Sequence, residues 1–316
     1  MRHWASHAAA ARPHRRWVTV PRAVLTLATS SLLVAVIPGA ASAGSVTSAA
    51  SAIRGSGVTR YVSLGDSYTA GPLIPDLTGS PAGCARSTHN YGHLVAAAVR
   101  AASFTDVSCQ GADTTSMTKP ESVPLGTNPP QDNALSSSTT LVTLQIGGND
   151  INAQDVFLEC AKLSFTDPFG APCKAHYTSG GTDQLKAAIA AAAPKVAADL
   201  SGIHAHAPNA RVLVVGYPVI MPNSGTGCWP VVPIASGDVP YLRGVEQELN
   251  AMLASEAAAN GATYVNTYTA SIGHDVCRAP GVKWVEGLVP TSPAAPFHPN
   301  ALGEQGMAAQ LLKTLG

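Results

Sequence analysis

The chain has 316 residues, of which only 12% are charged, and its 19 basic and 19 acidic side chains give a formal net charge of zero. A chain of this length forms one large or two small domains. Because no basic stripe interrupts the neutral background, the composition excludes a protein that binds nucleic acid through its phosphates.

The first 43 residues have the layout of a secretory signal peptide. Residues 1–22 carry five arginines and no acidic side chain, the apolar run Val24–Ile37 follows, and an Ala-Ser-Ala sequence ends at Ala43. The run has 14 residues, whereas a membrane-spanning helix needs about 20, so we expect cleavage after Ala43 and an extracellular protein rather than a membrane anchor. Arg15 and Arg16 leave the Sec and twin-arginine routes both open. Cleavage leaves 273 residues with a net charge of −5.

Residues 44–57 are rich in Gly, Ser and Ala and predict a flexible lead-in, and residues 58–316 predict one domain. In that domain β-branched runs alternate with Ala-rich segments, which favours a parallel sheet with helices on both faces. The predicted strands are Arg60–Leu64, Thr105–Ser108, Thr140–Ile146, Arg211–Val215 and Thr263–Val265. The predicted helices are Tyr91–Ala102, Thr182–His206 (capped by Thr182 and kinked or broken at Pro194), Tyr241–Asn260 and Pro299–Leu315. The predicted long loops are 71–88, 118–138, 152–181, 218–240 and 270–297.

All six cysteines follow the predicted cleavage site. An even number in an exported chain argues for three disulfides, and the absence of a C-x-x-C spacing argues against a metal site. Sequence alone allows about 15 pairings. The simplest pairing joins neighbours along the chain: Cys84–Cys109, Cys160–Cys173 and Cys228–Cys277.

A candidate nucleophile, Ser67, follows the first predicted strand in the sequence Gly65-Asp66-Ser67. The carboxyl end of a strand is where open α/β sheets bind their ligands. A serine hydroxyl needs a nearby base before it is a competent nucleophile. Alone, the motif is as typical of a serine that caps a helix as of a catalytic one.

Three further positions fit a hydrolytic site. Gly111 follows the second predicted strand and allows close approach of the backbone to a ligand. Asn149 follows two glycines at the end of the third strand, where an amide donor suits an oxyanion. His298 precedes Pro299 at the entry to the last predicted helix.

In this order, the motifs resemble those of the GDSL/SGNH hydrolase family. The block from Ser63 to Ser67 is similar to the one that holds the family's serine, and Gly111, Asn149 and His298 match its other blocks. The resemblance extends over residues 60–316 and is strongest to secreted actinobacterial, Streptomyces-type lipases and esterases with six cysteines, which supports the neighbour pairing. It implies a flavodoxin-like three-layer α/β/α sandwich around a mainly five-stranded parallel sheet, with no cofactor and no metal.

One position departs from the family pattern. The aspartate usually found three residues before the histidine is replaced here by Ala295. The resemblance to secreted relatives implies a Ser67–His298 dyad, with a backbone carbonyl of the 292–296 loop, that of Ala295 first, orienting the imidazole. The alternative is a remote acid, Asp275 or Glu286.

The function implied is that of a secreted serine ester hydrolase, a lipase or esterase. Ser67 is the expected nucleophile and His298 the base, and the Ser67 N–H, the Gly111 N–H and the Asn149 amide are the expected oxyanion donors. Apolar residues in the long loops predict an acyl-chain substrate: Pro72, Leu73, Ile74, Phe157, Leu158, Phe165, Phe169, Trp229 and Val231. The alternatives are a phospholipase A-type enzyme, a carbohydrate O-acetyl esterase and a non-catalytic carbohydrate-binding protein. We expect a monomer without stable membrane insertion.

Overall fold

A computed structural model describes residues 57–316, so the predicted signal peptide and the lead-in up to residue 56 lie outside the described residues. Nine strands alternate with helices in this part of the chain. The strands are β1 Arg60–Gly65, β2 Leu77–Thr78, β3 Arg86–Ser87, β4 Ser103–Asp106, β5 Glu121–Val123, β6 Gly126–Asn128, β7 Leu141–Gln145, β8 Arg211–Val215 and β9 Thr263–Val265. The helices are α1 Ser67–Ala70, α2 Tyr91–Val99, α3 Ala153–Ser164, α4 Pro172–Thr178, α5 Gln184–His206, α6 Val239–Ala259, α7 Thr267–Ala270 and α8 Ala301–Leu315.

The central sheet has five strands in the order β4-β1-β7-β8-β9, and all its pairs are parallel. This is the strand order of the flavodoxin-like doubly wound fold, in which the first two strands add in one direction and the later strands add on the other side of the first strand. The predicted three-layer sandwich is confirmed. Two short antiparallel pairs, β2-β3 and β5-β6, lie outside the central sheet.

Each face of the sheet buries its own apolar core, because alternate side chains of a strand point to opposite faces. Tyr61, Leu141 and Leu213 pack with residues of α2 and α8 on one face. Val62 and Val142 pack with residues of α3, α5 and α6 on the other. Strands buried on both sides explain the near-continuous apolar runs in the sequence.

Helix α5 differs from its prediction in its cap, and of the kink or break expected at Pro194 it shows no break. Asp183 rather than Thr182 caps the helix, because its Oδ1 accepts the N–H groups of Leu185 at 3.1 Å and Lys186 at 3.2 Å. The helix also continues through Pro194 without a break. Pro194 is exposed, so water can solvate the backbone carbonyl that the proline leaves without a donor.

The predicted loop 152–181 contains two helices, α3 and α4, which is a correction to the prediction. The start of α4 is capped from a distance, since the Asp238 carboxylate accepts the N–H groups of Cys173 at 3.0 Å and Lys174 at 2.8 Å. A cap that is 64 residues away in the chain leaves no local start signal in the sequence. The second strand of the sheet was also placed too late, since β4 ends at Asp106.

Three disulfides join neighbouring cysteines along the chain: Cys84–Cys109, Cys160–Cys173 and Cys228–Cys277. The second disulfide links α3 to α4, and the third links the segment after β8 to the segment before α8. Within residues 57–316, no helix is both long and apolar enough to cross a bilayer.

Candidate active site

Ser67 lies at the point where β1 turns into the short helix α1. The turn requires glycine at position 65, where φ is 143° and a Cβ atom would lie 2.4 Å from the Gln145 carbonyl oxygen. Gln131 holds the same glycine from the side, accepting its N–H at 2.8 Å and donating to its carbonyl at 3.0 Å. Asp66 caps α1 by accepting the Tyr68 N–H at 2.8 Å. The start of α1, and with it Ser67, is therefore held rigidly by backbone and side-chain contacts.

His298 reaches Ser67 from the segment that precedes α8. Its Nε2 lies 2.7 Å from the Ser67 Oγ, although the two residues are 231 positions apart. The neighbouring Phe297 has a φ of 59°, stacks on Phe157 with ring centroids 5.0 Å apart, and accepts a hydrogen bond from the Tyr68 hydroxyl at its carbonyl. These contacts stabilise the left-handed backbone that turns the imidazole toward the serine.

The carbonyl that orients the imidazole belongs to Pro296, at 2.8 Å from His298 Nδ1. This corrects the expectation that Ala295 would take this place. The Ala295 carbonyl instead accepts the backbone N–H of His298 at 3.1 Å, which closes a tight turn. Because the Ala295 carbonyl is hydrogen-bonded in this turn, the carbonyl of the next residue, Pro296, faces the imidazole ring. With Nδ1–H donating to Pro296, Nε2 is the acceptor toward the serine hydroxyl.

The two remote acids contact other groups. Asp275 accepts the Cys277 N–H and the Arg278 guanidinium, both at 3.1 Å. Glu286 is fully buried and accepts Lys283 Nζ at 2.7 Å, the Thr291 N–H at 2.8 Å and the Asn300 amide at 2.8 Å. Neither carboxylate bonds to the His298 ring, so the geometry does not support the remote-acid alternative.

Burial lowers the pKa of His298, and the bond to the Pro296 carbonyl offsets only part of that shift. Desolvation disfavours the charged imidazolium, so the ring favours its neutral form, which is the form that accepts a proton. Burial also raises the pKa of Asp66 to about 7, although hydrogen bonds from Tyr217 and Tyr68 act against the shift.

The predicted oxyanion donors converge only in part. Asn149 lines the same cavity as Ser67 and His298 and donates one amide hydrogen to the Ala112 carbonyl at 2.8 Å. That bond leaves its second amide hydrogen free for a ligand. Gly111 precedes Ala112, has a φ of 89° and is exposed. The Asn149 side chain thus ties the turn that carries Gly111 to the serine site.

The second motif aspartate, Asp150, holds two elements together. It accepts the N–H and hydroxyl of Thr114 at 3.0 and 2.6 Å and pairs with Lys195 of α5 at 3.2 Å. These are bonds to a loop and a helix, so the Asp150 carboxylate has a structural role.

Tyr217 is a site residue that the sequence did not indicate. Its hydroxyl donates to Asp66 Oδ2 and accepts the Gly148 N–H at 2.8 Å, and the residue lines the cavity. One phenol therefore fixes the loops of both the serine and the asparagine. The only available signal was its position two residues after a parallel strand, β8.

An apolar cavity adjoins Ser67 and His298. Most of its apolar wall comes from helices α3, α5 and α6, and α3 lies within the segment 152–181 that the sequence predicted as a long loop. Of the loop residues expected to bind an acyl chain, Phe157 alone is in the wall, whereas Leu73, Phe165, Phe169 and Val231 are exposed. The apolar wall consists of Ile151, Ala153, Val156, Phe157, Leu185, Ile220, Leu242, Val245, Leu249 and Phe297.

Comparison with known proteins agrees with this geometry. The model of the GDSL-like Lipase/Acylhydrolase family matches residues 63–305. The chain belongs to this family. Lipase 2 of Streptomyces coelicolor is 40% identical over 261 residues, which cover 81% of this chain and 85% of that relative.

Two crystal structures of Streptomyces enzymes share the fold of this family member. Phospholipase A1 from Streptomyces albidoflavus superposes with a TM-score of 0.67 at 29% identity, covering 82% of this chain and all of that one. An extracellular lipase from Streptomyces rimosus gives a TM-score of 0.65 at 26% identity with the same coverage. This GDSL-family protein is accordingly a carboxylic ester hydrolase.

Proposed function

We propose that the protein is a secreted lipase or esterase that cleaves acyl esters through a Ser67–His298 dyad and an acyl-enzyme. The observation that carries the proposal is the 2.7 Å contact between Ser67 Oγ and His298 Nε2 beside an apolar cavity. A serine within hydrogen-bonding distance of a neutral histidine, whose other nitrogen is held, is the arrangement that activates a hydroxyl nucleophile.

The proposed reaction has two halves. His298 Nε2 takes the Ser67 proton as Oγ attacks the ester carbonyl, and the Pro296 carbonyl holds Nδ1–H throughout. The tetrahedral oxyanion accepts hydrogen bonds from the Ser67 N–H, the Gly111 N–H and the free Asn149 amide hydrogen. His298 then protonates the leaving alcohol. Water attacks the acyl-enzyme by the same steps and releases the acid.

The cavity supports acyl chains as the substrate group. The cavity wall is formed chiefly by aliphatic and aromatic side chains. Burial of each methylene group in such a wall contributes about 0.8 kcal/mol. Glycerides and simple alkyl or aryl esters are the proposed substrates, and a polysaccharide acetyl ester fits this cavity less well.

Phospholipid is the second candidate substrate. The similarity to phospholipase A1 from Streptomyces albidoflavus extends over 82% of this chain at 29% identity, which favours a test of phosphatidylcholine alongside the simple esters.

Secretion is part of the proposal. Three disulfides in residues 57–316 suit an oxidising compartment, and one related structure is described as an extracellular lipase. The pattern that ends at Ala43 supplies the expected signal peptide. Protein sequencing of the secreted product should begin at Gly44. The monomeric state and the lack of nucleic-acid binding stay predictions.

The experiment is the hydrolysis of p-nitrophenyl esters from C2 to C16 by the purified mature protein and by Ser67→Ala. We expect kcat/KM of the wild type to rise from C2 to the medium chains, and the variant to lose measurable turnover. A wild type that cleaves only the acetyl ester would contradict the acyl-chain assignment. Equal activity of the variant and the wild type would exclude Ser67 as the nucleophile.

A further inference from the structure

The acyl cavity contains one acidic side chain among its apolar neighbours. Glu246 lies on the same face of α6 as Leu242, Val245 and Leu249, and all four residues line the cavity. Glu246 is buried, with only 5% of the residue exposed. The proposed ester hydrolysis does not use this carboxyl group.

Only one oxygen of Glu246 has a partner. Its Oε1 accepts the backbone N–H of Ile220 at 2.9 Å, whereas Oε2 is buried and makes no hydrogen bond within residues 57–316. No lysine, arginine or histidine in the described part of the chain forms an ion pair with it. A buried carboxylate without a cation is unfavourable, so the group favours its protonated form.

Burial dominates the titration of Glu246. It raises the pKa well above the usual range for glutamate and the negative charge of Asp275 adds to the shift, whereas the backbone N–H groups of Ile220 and Met221 act against it. The neighbouring phenols of Tyr68, Tyr264 and Tyr268 are close enough for the Glu246 charge to raise their own pKa values. With Oε1 bound to an N–H, the proton resides on Oε2, which makes Oε2 a hydrogen-bond donor without an acceptor.

We propose that Glu246 is a specificity residue that recognises an oxygen atom on the acyl chain, so that the enzyme favours esters of keto- or hydroxy-substituted acyl groups over plain hydrocarbon ones. The inference rests on the proposed function of the same site. A plain chain would fill the cavity and leave the Oε2–H group desolvated and unpaired, whereas an oxygen substituent at the matching position would accept its hydrogen bond. Sites with a buried polar group discriminate against ligands that leave it unpaired.

The test uses p-nitrophenyl decanoate and a series of oxodecanoates with the keto group at successive positions from the fourth carbon onward. A keto oxygen can only accept a hydrogen bond, so it reports on a donor. For the wild type we expect at least one isomer to exceed decanoate in kcat/KM by on the order of ten-fold, the size of one net hydrogen bond. The gain should fall mainly on KM, because the contact is made in both the bound substrate and the transition state.

Two variants test whether Glu246 acts as a hydrogen-bond donor to the acyl chain or has only a structural role. Glu246→Gln keeps an acceptor for the Ile220 N–H and supplies an amide donor, so it should retain the preference. Glu246→Leu removes both groups and should lose the preference, so that no oxodecanoate exceeds decanoate in kcat/KM. The matched control is Leu249→Val on the same helix and cavity wall, which should change both substrates alike.

A pH series provides a measurement that does not depend on the leucine variant folding. In the wild type the ratio of oxodecanoate to decanoate kcat/KM should fall as Glu246 loses its proton at alkaline pH, whereas in Glu246→Gln it should stay constant. Asp66 and His298 border the same cavity, but their titration affects both substrates equally and cancels in the ratio. The inference is overturned if no isomer is preferred by the wild type, or if Glu246→Leu keeps the preference. Failure of the wild type to cleave decanoate and every isomer would instead refute the proposed function.

Discussion

At the residue scale, the imidazole of His298 is held by a neutral carbonyl, that of Pro296, and not by a carboxylate. A carboxylate would raise the pKa of the imidazole and stabilise the imidazolium, whereas here burial lowers it. The base therefore stays neutral at more acidic pH than a free imidazole, whose pKa is about 6.5.

The pH dependence of kcat/KM follows from that shift. Activity requires neutral His298, so we expect the rising limb of the profile to have its midpoint below about 6.5, the ordinary histidine value. The measurement is kcat/KM for a medium-chain ester between pH 4 and 9. Because the pKa of Asp66 is about 7, Asp66→Asn serves as a control for that carboxyl. A midpoint above the ordinary value that Asp66→Asn does not move would contradict the burial argument.

Asn149 should contribute to the transition state more than to substrate binding. Its amide is oriented by the bond to the Ala112 carbonyl, which leaves one hydrogen for the oxyanion. We expect Asn149→Ala to lower kcat by a factor of about 10²–10³ with little change in KM, as for other single oxyanion donors. Gln154→Ala is the matched control, because Gln154 also lines the cavity. A kcat within a few-fold of the wild type would remove Asn149 from the proposed mechanism.

At the element scale, helix α8 docks on α2 through a buried carboxyl group. Glu304 of α8 is fully buried, and its Oε2 accepts the N–H of Tyr91, the first residue of α2, at 2.8 Å. Its Oε1 has no hydrogen-bond partner within residues 57–316. Burial raises the pKa of Glu304 well above its usual range, so the folded protein holds this proton more tightly than the unfolded chain does.

Glu304→Gln should therefore gain stability relative to the wild type as pH rises. Below the unfolded-state pKa of about 4.3 Glu304 is protonated in both states, and the stabilising contribution of the raised pKa is fully present. As pH increases toward the folded-state pKa, the unfolded chain releases its proton first and this contribution is lost. Glutamine keeps an acceptor for Tyr91 and does not titrate. We expect the difference in the free energy of unfolding to grow by up to about 1.4 kcal/mol for each pH unit above 5.

Urea denaturation at pH 4, 6 and 8 measures the difference. Glu248→Gln is the control, because the Glu248 carboxylate is exposed and pairs with Lys186 at the surface. A difference between Glu304→Gln and the wild type that is the same at all three pH values would contradict the assignment of a buried, protonated Glu304.

At the scale of the whole molecule, the three disulfides close loops of different length. Cys228–Cys277 spans 49 residues and Cys160–Cys173 spans 13. In the chain-entropy description a longer loop restricts the unfolded chain more, which corresponds to about 4 kcal/mol for the first bond and about 3 kcal/mol for the second.

Replacement of each pair by serine tests this order. We expect the Cys228→Ser/Cys277→Ser protein to lose more stability in guanidinium denaturation than the Cys160→Ser/Cys173→Ser protein. The intact enzyme under oxidising conditions is the reference, and esterase activity shows whether each variant reaches the folded state. The reverse order would mean that local contacts of α3 and α4 outweigh the entropy of the unfolded chain.

The sequence by itself determined the class of fold, a parallel sheet with helices on both faces, and the motifs around Ser67, Asn149 and His298. These features are local: the period of apolar residues follows from which faces of a strand or helix are buried, and glycine and proline positions follow from backbone sterics. The strands Arg211–Val215 and Thr263–Val265 have the bounds that the sequence predicted. The pairing of neighbouring cysteines was the simplest one, family resemblance supported it, and the structure has it.

Only the tertiary structure decided which carbonyl faces His298, where the acyl cavity lies, and which polar side chains border it. The Pro296 carbonyl, and not the predicted Ala295 carbonyl, orients the imidazole, because the Ala295 carbonyl accepts a backbone N–H in a turn. Tyr217 follows β8 and Glu246 lies on α6, both far from Ser67 along the chain. Nothing in their local sequence distinguishes them from ordinary core or helix residues. The physical reason is that hydrogen-bond partners and desolvation depend on what packs nearby in space, and chain segments far apart in sequence determine that packing.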